Sequence, residues 1–137
     1  MLIIDSNMWA YYFDKDAPEH PFVADRIDKA LSSEKIVMNT VIIIEVAHFL
    51  VRSLGPVIGK DKMETFLSYP FTIVDLDYDL TQEAIDILVA YYHTGIGGRD
   101  ATILATMKHL DFNKIMTHDE SFRRVDWIEV IDPILRG

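Results

Sequence analysis

Short β-type runs alternate with longer helical segments along this chain, and that alternation leaves few folds open. LII at 2–4, KIVMN at 35–39, FTIVDL at 71–76, NKIMT at 113–117 and WIEVI at 127–131 read as strands. PFVADRIDKALSS at 21–33 places Phe22, Val23, Ile27, Ala30 and Leu31 at helical spacing. TVIIIEVAHFLVRSL at 40–54 predicts a strongly apolar helix stopped by Gly55-Pro56, and KDKMETFLSY at 60–69 a shorter one stopped by Pro70. LTQEAIDILVAYYHTG at 80–95 predicts a helix with Thr81 as N-cap and Gly95 at its end. RDATILATMKHL at 99–110 predicts another. Strands alternating with helices give an α/β fold on a parallel sheet. In such sheets ligands bind outside the carboxyl ends of the strands. Polar residues that follow strands are therefore the ones to trace.

The chain has 137 residues, which suits one domain, 1–137. Half of its residues are hydrophobic, enough for a substantial core. The longest apolar run, VIII at 41–44, is followed by Glu45, far short of the roughly 18 residues of a membrane span. MLIIDSN has no basic region before its apolar residues, so a secretory signal is not expected. The absence of cysteine excludes disulfides, Cys-ligated zinc and thiol catalysis, and fits a cytoplasmic protein. A net charge of −9 argues against broad nonspecific nucleic-acid binding, which rests on Lys and Arg neutralising phosphates. A nuclease stays possible, because acids that hold a divalent cation restore positive charge where phosphate must sit. A solvated acidic surface is the alternative.

Four acids stand out. Asp5 directly follows LII, at the carboxyl edge of the sheet, where it either caps the next helix or serves chemistry. Glu45 lies in the most apolar helix, within roughly 60° of His48 and Arg52 on the helical wheel. This narrow polar stripe faces either water or a cleft. The Glu-x-x-His pair 45/48 is half of a carboxylate di-iron pattern, but the second half is missing. Asp100 has Ile103, Leu104 and Met107 at i+3, i+4 and i+7, so it sits on the apolar face of its helix. An acid there needs partners, because burying an unpaired carboxylate is costly. The helix N-terminus supplies only about 0.3–1 kcal/mol. A metal ion, or Arg99 next door, can supply the rest. Asp119, in THDESF at 117–122, ends another strand and either starts a turn or joins the others.

Two acids at strand ends and two on helices can line one edge of the sheet. Mg²⁺ and Mn²⁺ prefer oxygen ligands in octahedral geometry. Carboxylates converging on such an ion could orient a water, lower its pKa and stabilise charge on a phosphate.

IIDSN near the start, the Glu within TVIIIEVAHFL, GGRDATILATM and IMTHDESF together resemble the PIN-domain nucleases, and more narrowly the VapC-type toxins of toxin–antitoxin systems. The resemblance spans almost the whole chain. It implies a five-stranded parallel sheet flanked by helices on both faces, and a metal-dependent endoribonuclease using Mg²⁺ or Mn²⁺. Carried over by position, Asp5, Glu45, Asp100 and Asp119 match the family's acidic metal ligands. Asn7 matches the polar residue two after the first acid, and Thr117 the hydroxyl that helps order the last acid or a water. Ser6 stands where Thr is more usual, and GIGG at 95–98 and Met107 also depart from the pattern. The resemblance further implies a homodimer, an antitoxin partner and an RNA substrate.

Arg99, His118, Arg123 and Arg124 flank the acids and are candidates for phosphate contacts, or ordinary surface charge. Trp9, Tyr11 and Tyr12 are candidates for base stacking, with Trp9 and one Tyr expected in the core. Tyr91 and Tyr92 are expected in the core or at a dimer interface. GIGG lacks the full G-x-G-x-x-G spacing of a dinucleotide loop. Asp75, Asp77 and Asp79 lack the Gly and Glu of a calcium loop and read as a strand exit. Three functions remain: a metal-dependent ribonuclease in or outside a toxin system, a non-catalytic RNA or protein interaction module of the same fold, and a small-molecule phosphatase or nucleotide binder.

Overall fold

The computed structural model describes residues 1–134, so the last three residues of the expected domain lie outside the described residues. Strand β1 (Leu2–Ile4) leads into helix α1 (Ser6–Phe13) and α2 (His20–Ser33). Then come β2 (Ile36–Asn39), α3 (Thr40–Leu67), β3 (Thr72–Val74) and α4 (Tyr78–Tyr91). A 3₁₀ turn (Tyr92–Thr94) precedes α5 (Gly98–Leu110), β4 (Lys114–Met116), a second 3₁₀ turn (Glu120–Arg124) and β5 (Glu129–Ile131).

The five strands form one parallel sheet in the order β3-β2-β1-β4-β5. All residues of β1 and β2 are buried, as expected of central strands covered on both faces. Edge strands β3 and β5 are only partly covered. The helices pack in two groups, α1 with α2 and α3, and α4 with α5. Right-handed crossovers put one group on each face. The chain runs from β1 to β2 on one side and later returns to β4 on the other, so the strand order reverses between β1 and β4. That switch point opens a crevice at their carboxyl ends.

The α1 face of the sheet is built on Trp9, which is fully buried as expected. Phe66 meets it edge-on with ring centroids 5.0 Å apart, and Tyr12 does so at 5.6 Å. The sequence reading offered Asp5 as the cap of a following helix without giving its bounds; the eight residues of α1 form that helix, and its aromatic side chains pack inward.

Gly55 breaks α3, with φ 82° and ψ 167°. The expected helix stop is therefore real, but the chain resumes helix at once rather than at residue 60, with Pro56 starting the second arm. Gly59 sits where a Cβ would lie 2.8 Å from the Val51 Cα, so the two arms approach too closely for a larger residue. By length and composition α3 could cross a membrane. The break leaves neither arm near the roughly 20 residues a span requires. Helix α4 begins earlier than expected: Asp77, not Thr81, is its N-cap, accepting from the Leu80 N–H at 2.8 Å.

Candidate active site

Asp5 leaves β1 fully buried at the switch point. Its backbone N–H donates to the Met116 carbonyl at 2.9 Å, extending the β1–β4 ladder by one residue. One carboxylate oxygen, Oδ1, accepts from the Ser6 N–H at 2.7 Å and caps α1. The other, Oδ2, accepts from the Thr117 hydroxyl at 2.7 Å. The capping role is thus real and leaves the carboxylate at the crevice.

Thr117 is fully buried at the end of β4. Its Oγ1 also accepts from the Asp119 N–H at 3.1 Å and from Asn7 Nδ2 at 3.4 Å. One hydroxyl therefore ties the first acid to the last. Asp119 itself caps the second 3₁₀ turn, its Oδ1 accepting from the Ser121 N–H at 3.0 Å and the Ser121 hydroxyl at 2.7 Å. Asn7 Oδ1 is buried and has no hydrogen-bond partner among the described residues.

Asp100 lies in the first turn of α5, 8 % exposed, with Oδ2 facing the Gly97 N–H at 3.5 Å. Burial pushes its carboxyl above the usual range; Arg99 pulls it back, while Asp119 and Asp5 add to the rise. Glu45 reaches over from α3.

Arg99 organises these acids. Its Nη2 donates to Asp5, its Nε to Glu45 and its Nη1 to Asp100 at 2.6 Å. Nη2 also reaches the Ser6 hydroxyl at 2.9 Å. Burial works against the guanidinium charge, but Asp5 and Glu45 outweigh it and hold Arg99 protonated more firmly than usual. Sequence reading offered Arg99 both as a partner for Asp100 and as a phosphate contact; here its head lies among the carboxylates, Asp100 included.

The structure thus brings Asp5, Glu45 and Asp100 onto one cation, with Asp119 joined through Thr117. The donor set is all oxygen, which suits Mg²⁺ or Mn²⁺. Among the described residues, no three acidic or histidine groups already stand in an arrangement that could hold a metal, since the three that meet do so around the guanidinium.

The other candidates divide. His118 Nδ1 pairs with Asp132 Oδ2 at 2.9 Å. Arg124 Nη1 donates to the Thr94 carbonyl at 3.0 Å and braces the turn before α5. Arg123 is exposed. The His48–Arg52 stripe faces a groove of about 260 Å³, shared with Ser6, Asn7, Glu45 and Phe49. A larger cavity of about 680 Å³ lies beside Tyr91, Lys108 and Trp127 and contains none of the four acids. Tyr92 is 74 % exposed and outside the core.

Sequence reading missed Asn39, which is fully buried at the end of β2. Its Oδ1 accepts from the Ile42 N–H at 2.9 Å, capping α3, and its Nδ2 donates to Thr106 of α5 at 3.2 Å. It thereby links the helices that carry Glu45 and Asp100. The rule that drew attention to Asp5, a polar residue after an apolar strand, applies equally to Asn39.

The model of the PIN domain family matches residues 2–128. This chain belongs to the PIN domain family. Solved structures with the same fold include VapC20 of Mycobacterium tuberculosis, described as a sarcin-ricin loop cleaving toxin. That match has a TM-score of 0.77 at 18 % identity and covers 95 % of this chain and 98 % of that one. DNA-bound VapBC from Salmonella typhimurium matches with a TM-score of 0.74 at 17 % identity, covering 96 % and 97 %. FitAcB from Neisseria gonorrhoeae matches at 0.71 and 20 %, covering 97 % and 98 %. No curated protein matches the sequence significantly. The PIN domain's five parallel strands agree with the expectation drawn from its motifs.

Proposed function

We propose that this PIN domain is an endoribonuclease dependent on Mg²⁺ or Mn²⁺, acting as the toxin of a toxin–antitoxin pair in the cytoplasm. The observation that carries the reading is the meeting of Asp5, Glu45 and Asp100, from three separate parts of the chain, on a single cationic group. Family membership supports nuclease chemistry. Structural neighbours that are toxins or toxin–antitoxin complexes support the biological setting, including an antitoxin partner; a homodimer is part of the same reading.

Asp5, Glu45, Asp100 and Asp119 would hold the metal. When bound, the metal would acidify a water and stabilise charge on the phosphate. The chain's own residues do the rest. Thr117 fixes the Asp5 carboxylate and the Asp119 backbone in one frame. Asn7 donates to Thr117 through Nδ2 and keeps a buried acceptor, Oδ1, without a partner among the described residues; it would help orient a water at this edge of the site. The groove beside Glu45 suits a strand of RNA, with His48 and Arg52 at its wall for phosphate contact. Arg99, His118 and Arg123 complete the candidate phosphate contacts.

The test is cleavage of structured RNA with and without Mn²⁺ by wild type, Asp5→Asn and Asp100→Asn. Loss of metal-dependent cleavage in both variants is expected. Cleavage that survives both would overturn the assignment. One observation favours a non-catalytic interaction module instead: the Arg99 guanidinium already occupies the centre of the acids. That reading predicts no cleavage and no metal-linked stabilisation in the wild type.

A further inference from the structure

We infer that Arg99 is an internal stand-in for the divalent cation. Its guanidinium keeps the metal's place in the metal-free protein and leaves when the metal enters. This rests on the metal-binding reading above and deepens it.

The contacts are unusual for an arginine. A guanidinium normally addresses one carboxylate through two parallel hydrogen bonds. Here Nε, Nη1 and Nη2 each address a different carboxylate, and Nη2 takes the Ser6 hydroxyl as well. The group is centred on the acids rather than paired with one. Those acids are the ones whose side chains a metal would need, and two of them, Asp5 and Asp100, are buried. Without a cation the cluster would carry uncompensated buried charge, which folded proteins avoid. Arg99 offsets part of that charge before any metal arrives.

Both cations cannot share the centre. A divalent ion and a guanidinium a few ångströms apart repel strongly in a partly buried site. Exchange is also sterically open. Arg99 is the second residue of α5, and its side chain is still 29 % exposed. The two preceding residues, Gly97 and Gly98, have open space around them. The side chain can therefore swing to the rim without unwinding the helix. A metal that binds only the vacated state has its apparent affinity reduced by the fraction of molecules in that state. The displaced charge at the rim then suits an RNA phosphate, so RNA and metal should strengthen each other's binding.

The test measures Mn²⁺ affinity by calorimetry for the wild type, Arg99→Gln, Arg99→Lys and Asp5→Asn. A second readout follows the Arg99 Nε–H resonance of the wild type during Mg²⁺ titration. The inference expects Arg99→Gln to bind Mn²⁺ at least about tenfold more tightly than wild type, with Arg99→Lys in between. It also expects a protected Nε–H signal that is lost at saturating Mg²⁺. Equal or weaker binding by Arg99→Gln, with binding abolished in Asp5→Asn, would overturn the exchange and leave the metal site standing. No Mn²⁺ binding by wild type or Arg99→Gln would overturn the metal reading and this inference together. If Arg99→Gln does not fold, the wild-type spectrum decides, and an unchanged Nε–H at saturating Mg²⁺ overturns the inference.

Discussion

The Thr117 hydroxyl donates to Asp5 Oδ2 at 2.7 Å and accepts the Asp119 N–H at 3.1 Å. A single oxygen atom thus fixes two acids 114 positions apart in sequence (119 − 5) at one end of the sheet. Replacing Thr117 by Val keeps the shape but strands both groups. A buried group left without its partner costs about 1–3 kcal/mol. Urea denaturation should show that loss for Thr117→Val and little for Thr117→Ser. Equal stability of all three proteins would show that the hydroxyl does not organise the site.

Asp100 gives a second prediction. Its carboxyl is raised above the unfolded value, chiefly by burial. A raised acid contributes stability below its unfolded pKa of about 3.9 and loses that contribution as pH rises through the folded value. At neutral pH its charge is therefore a burden in the metal-free protein. Asp100→Asn should unfold at a Tm no lower than wild type without metal at pH 7. With metal at about 100 times Kd, the wild type should gain about 2.7 kcal/mol and the variant almost none. Thermal scans with and without Mn²⁺ check both statements, and a variant that gains as much as wild type would remove Asp100 from the ligand set.

The Tyr12 hydroxyl donates to Asp28 Oδ1 at 2.5 Å. Burial first, and then this carboxylate, raise the phenol above its usual value near 10. The raised group contributes stability at pH values below about 10, and that contribution fades as pH climbs through the folded value. The stability gap between wild type and Tyr12→Phe should be constant up to about pH 9.5 and narrow above it. Denaturant melts at a series of alkaline pH values measure this, and a gap that widens would contradict it.

Gly59 is the last. A Cβ there would lie 2.8 Å from the Val51 Cα and 2.9 Å from the Leu50 carbonyl oxygen, both backbone atoms that cannot move alone. Gly59→Ala should destabilise by about 1–3 kcal/mol, the usual range for overpacking. Ala at an unstrained helical position would instead stabilise, by about 0.5–1 kcal/mol. The sign of the change by denaturant unfolding decides whether the two arms of α3 truly touch.

The sequence made much of this legible. Apolar runs set off by turns marked every strand, and the polar residues after β1 and β4 marked the crevice, while Asn39 at the end of β2 went unread. The observed strands are shorter than the runs at β3, β4 and β5, ending where the parallel pairing ends. Asp100 was readable because helical spacing placed it on an apolar face, and it is buried. Helix α1 was harder, since WAYYF has no polar interruption to display a period. The break at Gly55 was visible as Gly-Pro, but the continuation was not, because Pro56 both ends one helix and suits the start of another. Arg99 could be suspected only as a neighbour of Asp100; its reach to Asp5 and Glu45 depends on tertiary folding that no local pattern records.

The pairing of Arg99 with the acids has a consequence for how the protein lives without metal. Many metalloproteins lose their shape when a chelator strips the ion, because ligand charges then repel one another. A chain that carries its own counter-charge depends less on the ion. EDTA should silence such a protein while leaving its circular dichroism intact, and readdition of Mg²⁺ should restore it at once, with no refolding delay. Dormancy would then be a resting posture of the finished fold, reversible on the timescale of a side-chain movement.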